Sequence, residues 1–229
     1  MRIPELAINK DIGAQKEAIK ETQIVINNSA VNIDIQFDDP TKKKFDRLYN
    51  AFKNLSSSHR IWDITDAHYQ DRVATRSSAS TLVNRRDVKF GLQSLPIIQS
   101  NYEALYFQNV NGADLYLYPT FVLMYTNDQN FAIVGIDELS LTFSSVSFTE
   151  TSTVPRDSKI FNKTWAKVNK NGTPDKRFKN NYQIPVVQYG RLRSSNSRGL
   201  NEEYQISHFE AAEAFGNAFE EYRRVCKVL

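Results

Sequence analysis

Short β-prone runs separated by turn-forming residues fill the chain from about residue 59 to residue 207, and this pattern limits the fold more than any other feature. In one such run Leu139, Leu141 and Phe143 occupy every second position, which is the spacing of a strand with one buried face. Neighbouring runs joined by short turns pair with each other. We therefore predict a mainly antiparallel sheet arranged as a meander.

Two Asn-Gly pairs mark turns within this region. Asn111-Gly112 lies between the β-prone residues 106–107 and 115–118. An Asn-Gly pair tolerates the positive φ angles of a type I′ turn, whose twist suits antiparallel strands. We predict a hairpin with that turn here, and a second turn at Asn171-Gly172.

A helical pattern precedes the predicted sheet. Asp39 followed by Pro40 is a typical helix start, because the carboxylate caps free N–H groups and proline needs no hydrogen-bond acceptor at the first position. The apolar residues that follow recur at three- and four-residue spacing: Phe45, Leu48, Tyr49, Phe52 and Leu55. This spacing predicts an amphipathic helix near residues 40–55.

A second helical pattern ends the chain. Ser207 and Glu210 have the spacing of a capping box, in which each side chain accepts the other residue's backbone N–H. The apolar residues beyond them share one helical face: Phe209, Ala212, Phe215, Phe219, Tyr222 and Val225. We expect a helix near residues 208–225 that caps the sheet, which makes the fold class α+β.

The length of 229 residues exceeds that of a typical domain and leaves room for an attachment. Residues 1–21 are weakly helical in pattern, and residues 22–37 contain two β-prone runs around Asn27, Asn28 and Ser29. We therefore expect an N-terminal strand and helix attachment over residues 1–55. The antiparallel β domain with its terminal helix is expected over residues 56–229.

Composition favours a cytoplasmic protein. The one cysteine, Cys226, allows no intramolecular disulfide, which fits a reducing compartment. No segment approaches 18 consecutive apolar residues, so no membrane span is expected. The low content of glycine and proline, 8 and 7 residues, argues against a disordered chain.

Signatures of common catalytic chemistry are missing from the sequence. The glycines form neither a dinucleotide-binding nor a P-loop motif, and the three histidines have no metal-ligand spacing with Cys226. Pro174-Asp175 is similar to the first half of a nuclease signature, whose second half is missing. We expect no cofactor and no metal, and we lean towards a protein that is not an enzyme. Enzyme activity would be favoured if Arg76, Asp175 and Glu150 met in one cleft.

Positive charge is concentrated in one segment. The formal net charge is only +3, but residues 158–198 carry ten basic residues against one acidic residue, Asp175. Aromatic residues are interleaved with these cations: Trp165, Phe178, Tyr182 and Tyr189. Cations for phosphates and rings for bases are typical of nucleic-acid surfaces. Two alternatives remain, namely an acidic protein partner and the protein's own acidic side chains at Glu202, Glu203, Glu210 and Glu213.

Candidate contact residues come from this segment and from a cluster of serines and arginines before it. Hydroxyl and guanidinium groups together can hold an anion, although the same cluster can also cap a helix and pair with nearby aspartates. If strand alternation continues, Lys163, Trp165 and Lys167 share one face. The candidate anion-binding or partner-binding residues are Arg76, Ser77, Ser78, Lys163, Trp165, Lys167, Lys170, Asp175, Lys176, Arg177, Lys179, Arg191 and Arg193.

The residues after Asn171-Gly172 are expected to hold a fixed loop. Asp175 can accept backbone N–H groups in a turn, and Arg177 can reach a nearby carboxylate or carbonyl. We predict that Pro174, Asp175 and Arg177 set the shape of this segment.

Several motifs of the chain occur together in one known family. They are Trp62, the Arg-Ser-Ser-Ala run at 76–79, the aromatic segment 116–119, the long motif at 165–178 and the Gln-Ile-Pro-Val segment at 183–190. Over about residues 56–225 the chain resembles an uncharacterised bacterial domain family that occurs as a C-terminal accessory module behind varied N-terminal regions. It departs from the family pattern at Ala166, where a larger polar residue is expected. The order of aromatic strands and a terminal helix also resembles the half-barrel of pleckstrin-type domains.

The resemblance implies a module that binds or docks, because the family occurs behind different partners. We expect a non-enzymatic binding or assembly module of a bacterial cytosolic complex, with residues 158–198 as its contact surface. A protein partner or self-association is expected. The alternative is a nucleic-acid-binding component of a bacterial defence or DNA-processing system.

Overall fold

The computed structural model describes residues 3–69 and 81–226. Arg76, Ser77 and Ser78 lie outside the described residues. The three described helices and one 3-10 turn are α1 (Ile3–Ser29), α2 (Asp39–Ser56), the 3-10 turn (Ile136–Glu138) and α3 (Phe209–Cys226). The described strands are β1 (Val31–Ile33), β2 (Ile61–Tyr69), β3 (Thr81–Asp87), β4 (Phe90–Leu92), β5 (Ile98–Ser100), β6 (Leu105–Phe107), β7 (Asp114–Leu117), β8 (Phe121–Asn127), β9 (Asn130–Gly135), β10 (Ser140–Thr149), β11 (Lys159–Trp165), β12 (Gln183–Ser195) and β13 (Asn201–Ile206).

Backbone contacts divide the chain into two compact units. The smaller unit comprises residues 1–36 and 94–103, and the larger comprises residues 37–93 and 104–229. This division places α2 in the larger unit, whereas the sequence-based boundary near residue 55 assigned it to the attachment.

The smaller unit contains α1 and a two-stranded sheet. Strands β1 and β5 are parallel, unlike every other strand pair in the described part of the chain. The side chain of Asn101 holds the segment after β1, because its oxygen accepts the Ile35 N–H at 3.1 Å and its amide donates to the Ile35 carbonyl at 2.8 Å.

The expectation of strand at residues 22–26 is wrong, because α1 continues to Ser29. Once a helix has formed, each further residue adds one backbone hydrogen bond. That gain exceeds the modest preference of Ile24 and Val25 for strand. The strand predicted to reach Phe37 is also shorter and ends at Ile33.

The larger unit is built on two antiparallel sheets. One has the order β10-β12-β13-β2-β3, with β11 also paired to β12, and the other has the order β4-β6-β7-β8-β9. Neither sheet closes on itself. The α+β class, the mainly antiparallel pairing and the helices α2 and α3 at the two ends of the larger unit are as predicted. The predicted meander order holds from β6 to β9, whereas in the six-stranded sheet β13 pairs with β2 and β10 pairs with β12.

Helices α2 and α3 pack together over aromatic side chains. The rings of Phe52 and Phe215 lie 5.6 Å apart, and those of Phe45 and Tyr222 lie 5.4 Å apart. The Tyr222 hydroxyl donates to the Pro119 carbonyl at 2.6 Å. All four rings are almost fully buried, so this contact is a central part of the core.

Helix α3 also lies close against the six-stranded sheet. A Cβ atom at Gly190 of β12 would lie 2.4 Å from the Cβ of Ala212. A Cβ at Gly216 of α3 would lie 2.7 Å from the Cβ of Phe143 on β10. Real Cβ atoms do not approach so closely, so glycine is required at both positions for the helix to reach the sheet.

The predicted caps of both helices are corrected by the structure. The cap of α2 is Asp38, which accepts the Thr41 N–H at 3.1 Å, and Asp39 is already helical. The Ser207–Glu210 capping box does not form, because the Ser207 hydroxyl accepts the Arg60 N–H at 2.9 Å and joins the helix start to β2.

The hairpin at β6–β7 is confirmed, but its type I′ turn is wrong. Gly112 does not have a positive φ, and residues 108–113 form a wider loop. Side chains close this loop, because Asp114 accepts the Asn109 N–H at 2.8 Å and the Asn109 amide donates to the Ala113 carbonyl at 2.6 Å. These bonds replace the two-residue turn.

Candidate anion-binding loop

Strands β11 and β12 hold the base of a loop formed by residues 166–182, hereafter the basic loop. The strands are antiparallel up to the pair Trp165 and Gln183. Pairing continues into the loop, where the Ala166 N–H donates to the Tyr182 carbonyl at 2.9 Å. The Asn181 side chain then accepts the Lys167 N–H at 3.0 Å and donates to the Lys167 carbonyl at 2.8 Å. The loop is thus fixed at its entrance.

Polar residues of the basic loop form its tip. The Asn169 N–H donates to the Thr173 carbonyl at 2.8 Å, and the Asn171 side chain accepts the Thr173 hydroxyl at 2.7 Å. Gly172 has a φ of 83°, a conformation that favours glycine. The predicted turn at Asn171-Gly172 is therefore present.

Asp175 and Arg177 form the centre of the loop. Asp175 is only 2% exposed, and its carboxylate accepts the backbone N–H of Arg177 at 3.1 Å together with the Arg177 Nε–H at 3.0 Å and an Nη2–H at 2.8 Å. The predicted contacts of Asp175 and Arg177 are confirmed. Pro174 contributes a bridge to the buried Val168.

An open pocket of about 520 Å³ lies beside these anchors. We call it the basic pocket, and it is lined by Ala166, Lys167, Arg177, Phe178, Lys179, Asn180, Asn181 and Tyr182. The Tyr182 and Phe178 rings are 62% and 41% exposed. The Lys167 ammonium lies 5.8 Å from the centre of the Phe178 ring, within the range of a cation–π contact.

Five lysines of this region have no acidic partner among the residues that the structure describes. Within residues 3–69 and 81–226, no ion pair involves the following side chains: Lys163, Lys167, Lys170, Lys176 and Lys179. Arg177 pairs with Asp175, which is nearly buried, so its own side chain remains 64% exposed. The basic pocket therefore presents uncompensated positive charge to solvent.

Other basic residues of the segment do face the protein's own acids. Lys159 pairs with Glu210, and the Arg191 guanidinium lies 3.8 Å from Glu203. The alternative of an intramolecular acidic partner thus applies to Lys159 and Arg191 on the strands and to Arg177 in the basic loop. Among the residues that the structure describes, it does not apply to the lysines of the loop.

Not all candidate residues meet at the basic pocket. Arg191 and Arg193 lie farther along β12, where Arg191 donates to Ser144 at 2.9 Å and Arg193 to Asn201 at 2.9 and 3.2 Å. The predicted site therefore comprises a loop part and a separate strand part.

The predicted alignment of Lys163, Trp165 and Lys167 is only half correct. Lys163 and Trp165 pair with Pro185 and Gln183, so they share one face of the sheet. Strand β11 ends at Trp165, and the alternation does not continue to Lys167. The ring beside Lys167 is that of Phe178, which sequence spacing did not identify.

A second polar cluster was not found from the sequence. The Arg85 guanidinium pairs with both oxygens of Glu150, at 3.0 and 3.1 Å. It also lies 4.3 Å from the Trp62 ring and 4.2 Å from the Phe148 ring. Tyr189 donates its hydroxyl to Glu150 at 2.9 Å.

The environment of Glu150 favours its charged form. Burial alone raises the pKa of Glu150, but hydrogen bonds from Arg85, the Ser152 N–H and Tyr189 outweigh that effect and the pKa lies below its usual value. Asp175 and Glu150 each bind a different arginine. Arg76, the third residue of the cleft that would favour an enzyme, lies outside the described residues.

Two carboxyl groups lie under the 108–113 loop. Asp63 accepts the Val110 N–H at 2.9 Å, and burial raises its pKa. Burial, followed by repulsion from Asp63, raises the pKa of Glu202 to about 7. In the described parts of the chain, no group of three or more His, Cys, Asp or Glu side chains is placed to hold a metal ion.

None of the described helices is both long enough and apolar enough to cross a membrane. No family model, no curated protein and no solved structure matches this chain.

Proposed function

We propose that this protein is a non-enzymatic binding module of a bacterial cytosolic complex and that the basic pocket is its contact surface for an anionic partner. One observation carries the proposal. The polar residues of the basic loop are used to fix its backbone, whereas its lysines have no acidic partner in the described structure.

The arrangement favours binding because the loop is ordered before the partner arrives. Asn181 holds the backbone of Lys167, and Asp175 holds the side chain of Arg177. A fixed surface loses little conformational entropy on association. Clustered positive charge also accelerates encounters with an anionic partner.

The resemblance to a family of accessory modules supports the same proposal. A module that occurs behind varied N-terminal regions needs a contact surface more than it needs a catalytic centre. The basic loop contains all but the first residue of the long motif on which that resemblance depends, at residues 165–178.

Chromatography on immobilised heparin tests this proposal with a general polyanion. We expect the wild-type protein to bind, and the double variant Lys167→Gln/Lys179→Gln to elute at clearly lower salt. The matched control is Lys43→Gln/Lys53→Gln, which removes the same charge from exposed positions of α2. Equal elution of the two double variants would contradict the proposal, because net charge alone would then explain retention.

A further inference from the structure

We infer that the anionic partner of the basic pocket is a single-stranded nucleic acid, with a phosphate on Arg177 and a base stacked on Tyr182. This inference rests on the proposed function, since it names the class of ligand that the same pocket binds.

Arg177 is prepared for a phosphate. Asp175 engages its Nε and one Nη2 hydrogen, which leaves the opposite edge of the guanidinium, with Nη1, directed away from the carboxylate. The side chain is 64% exposed, so that edge is accessible. A guanidinium held in one orientation offers two parallel donors, and two parallel donors match the oxygens of a phosphate.

The exposed rings distinguish this pocket from a simple cationic patch. Tyr182 and Phe178 both line it, and Tyr182 is the more exposed ring at 62%. Lys167 lies close to Phe178, whereas no ring or cation of the described residues stacks on Tyr182. An exposed ring next to cations is the arrangement that stacks bases in single-strand binding proteins.

The pocket is large enough for a small ligand unit. Its volume of about 520 Å³ lies within the range of about 300–1,000 Å³ typical of small-ligand pockets. Lys170, Lys176 and Lys179 belong to the basic loop itself, and Lys163 lies just before it on β11. Neighbouring phosphates of a strand therefore have further cations close by in the chain.

A single strand fits these features better than a duplex or an acidic peptide. In a duplex the bases are stacked on one another and their faces cannot reach Tyr182, so only the cations would contribute. An acidic peptide would likewise use the cations and leave the ring without a role. The effect of Tyr182 on affinity therefore distinguishes a single strand from a duplex or an acidic peptide.

Fluorescence anisotropy with a labelled 12-nucleotide oligothymidine tests the inference. We expect the wild-type protein to bind this strand more tightly than a 12-base-pair duplex of mixed sequence. We expect affinity to fall about fifty-fold between about 50 and 200 mM salt if four phosphates are contacted. Unlabelled polyglutamate should compete weakly.

Variants of Tyr182 isolate the stacking contribution. Tyr182→Ala should weaken oligothymidine binding at least fivefold while heparin elution remains unchanged, because no charge is lost. Tyr182→Phe keeps the ring and should bind as the wild type does. Arg177→Lys keeps the positive charge but loses the two parallel donors of the guanidinium, and it should also weaken oligothymidine binding. Circular dichroism would confirm that each variant is folded.

The outcomes separate this inference from the proposed function. Three results would each overturn the single-strand inference: polyglutamate competes as well as unlabelled oligothymidine, Tyr182→Ala binds oligothymidine as the wild type does, or the duplex binds at least as tightly as the single strand. In each of these cases the proposed anion-binding function still stands. If neither heparin nor any of the labelled ligands binds even at 50 mM salt, both are wrong.

Discussion

Arg85 and Glu150 form a two-point ion pair, with distances of 3.0 and 3.1 Å, although the Glu150 side chain is only 1% exposed. The two residues are 65 positions apart, and the pair joins β3 to the residue that follows β10. The rings of Trp62 and Phe148 lie close to the same guanidinium. This arrangement makes Arg85 an internal part of the fold, although arginine is usually a surface residue.

Removal of Arg85 should strongly destabilise the protein. Arg85→Ala leaves a buried carboxylate without its cation, and we expect a loss of about 3–5 kcal/mol in the free energy of unfolding. Urea denaturation followed by tryptophan fluorescence measures it. The double variant Arg85→Met/Glu150→Gln removes both charges and should recover at least half of the loss. A loss below about 1 kcal/mol for Arg85→Ala would show that the pair is not important for stability.

The pH dependence of stability should report on Glu202. Its pKa in the folded protein is raised to about 7, from an ordinary value of 4.5, so the folded state binds more protons than the unfolded state between these values. Its contribution to stability is therefore complete below about pH 4.5 and is lost as pH rises through 7. The raised pKa of Asp63 acts in the same direction.

Glu202→Gln should reduce this loss of stability. Urea midpoints measured at pH 5.5 and pH 8 should differ less in the variant than in the wild-type protein. Glu213→Gln, at an exposed position of α3, is the control and should keep the wild-type difference. If Glu202→Gln leaves the difference unchanged, Glu202 is not the group that titrates.

Asp175 should stabilise the basic loop. Asp175→Ala removes the acceptor of three hydrogen bonds from Arg177, and we expect a loss of about 1–3 kcal/mol in the free energy of unfolding. Asp175→Asn keeps an acceptor and should lose less. Thermal unfolding measures both variants. Unchanged melting together with lost heparin binding would show that Asp175 acts in binding and not in stability.

The two glycines between α3 and the sheet should not tolerate a methyl group. Gly190→Ala and Gly216→Ala place a Cβ against Ala212 and Phe143, and each should cost about 1–3 kcal/mol through overpacking. Gly13→Ala is the control, because nothing lies within 4 Å of that added Cβ in α1. It should leave stability unchanged or raise it by up to about 1 kcal/mol. Equal effects at all three positions would contradict the close packing of α3.

Local patterns predicted most of the larger unit. The alternation around Leu141 and the helical spacing around Phe52 and Phe215 arise because one face of each element is buried. That spacing is visible within the sequence of each segment, so no knowledge of its partner is needed. Asp175 and Arg177 were also predictable, because their contact spans two residues. The Arg85–Glu150 pair was not, since nothing in either segment indicates a partner 65 positions away. The contact between Lys167 and the ring of Phe178 was not predicted. Alternation alone does not show that β11 ends at Trp165, and beyond that end the spacing of a strand no longer tells which residues are neighbours.

The basic loop divides its residues between two tasks. Asn169, Asp175 and Asn181 hold the backbone, whereas the side chains of Lys179 and Tyr182 face the pocket and take no part in those bonds. Substitutions at the second set are therefore expected to leave the first intact. Under the proposed function, the ligand preference of this loop could then change during evolution while the bonds that fix its backbone, and with them its stability, are kept.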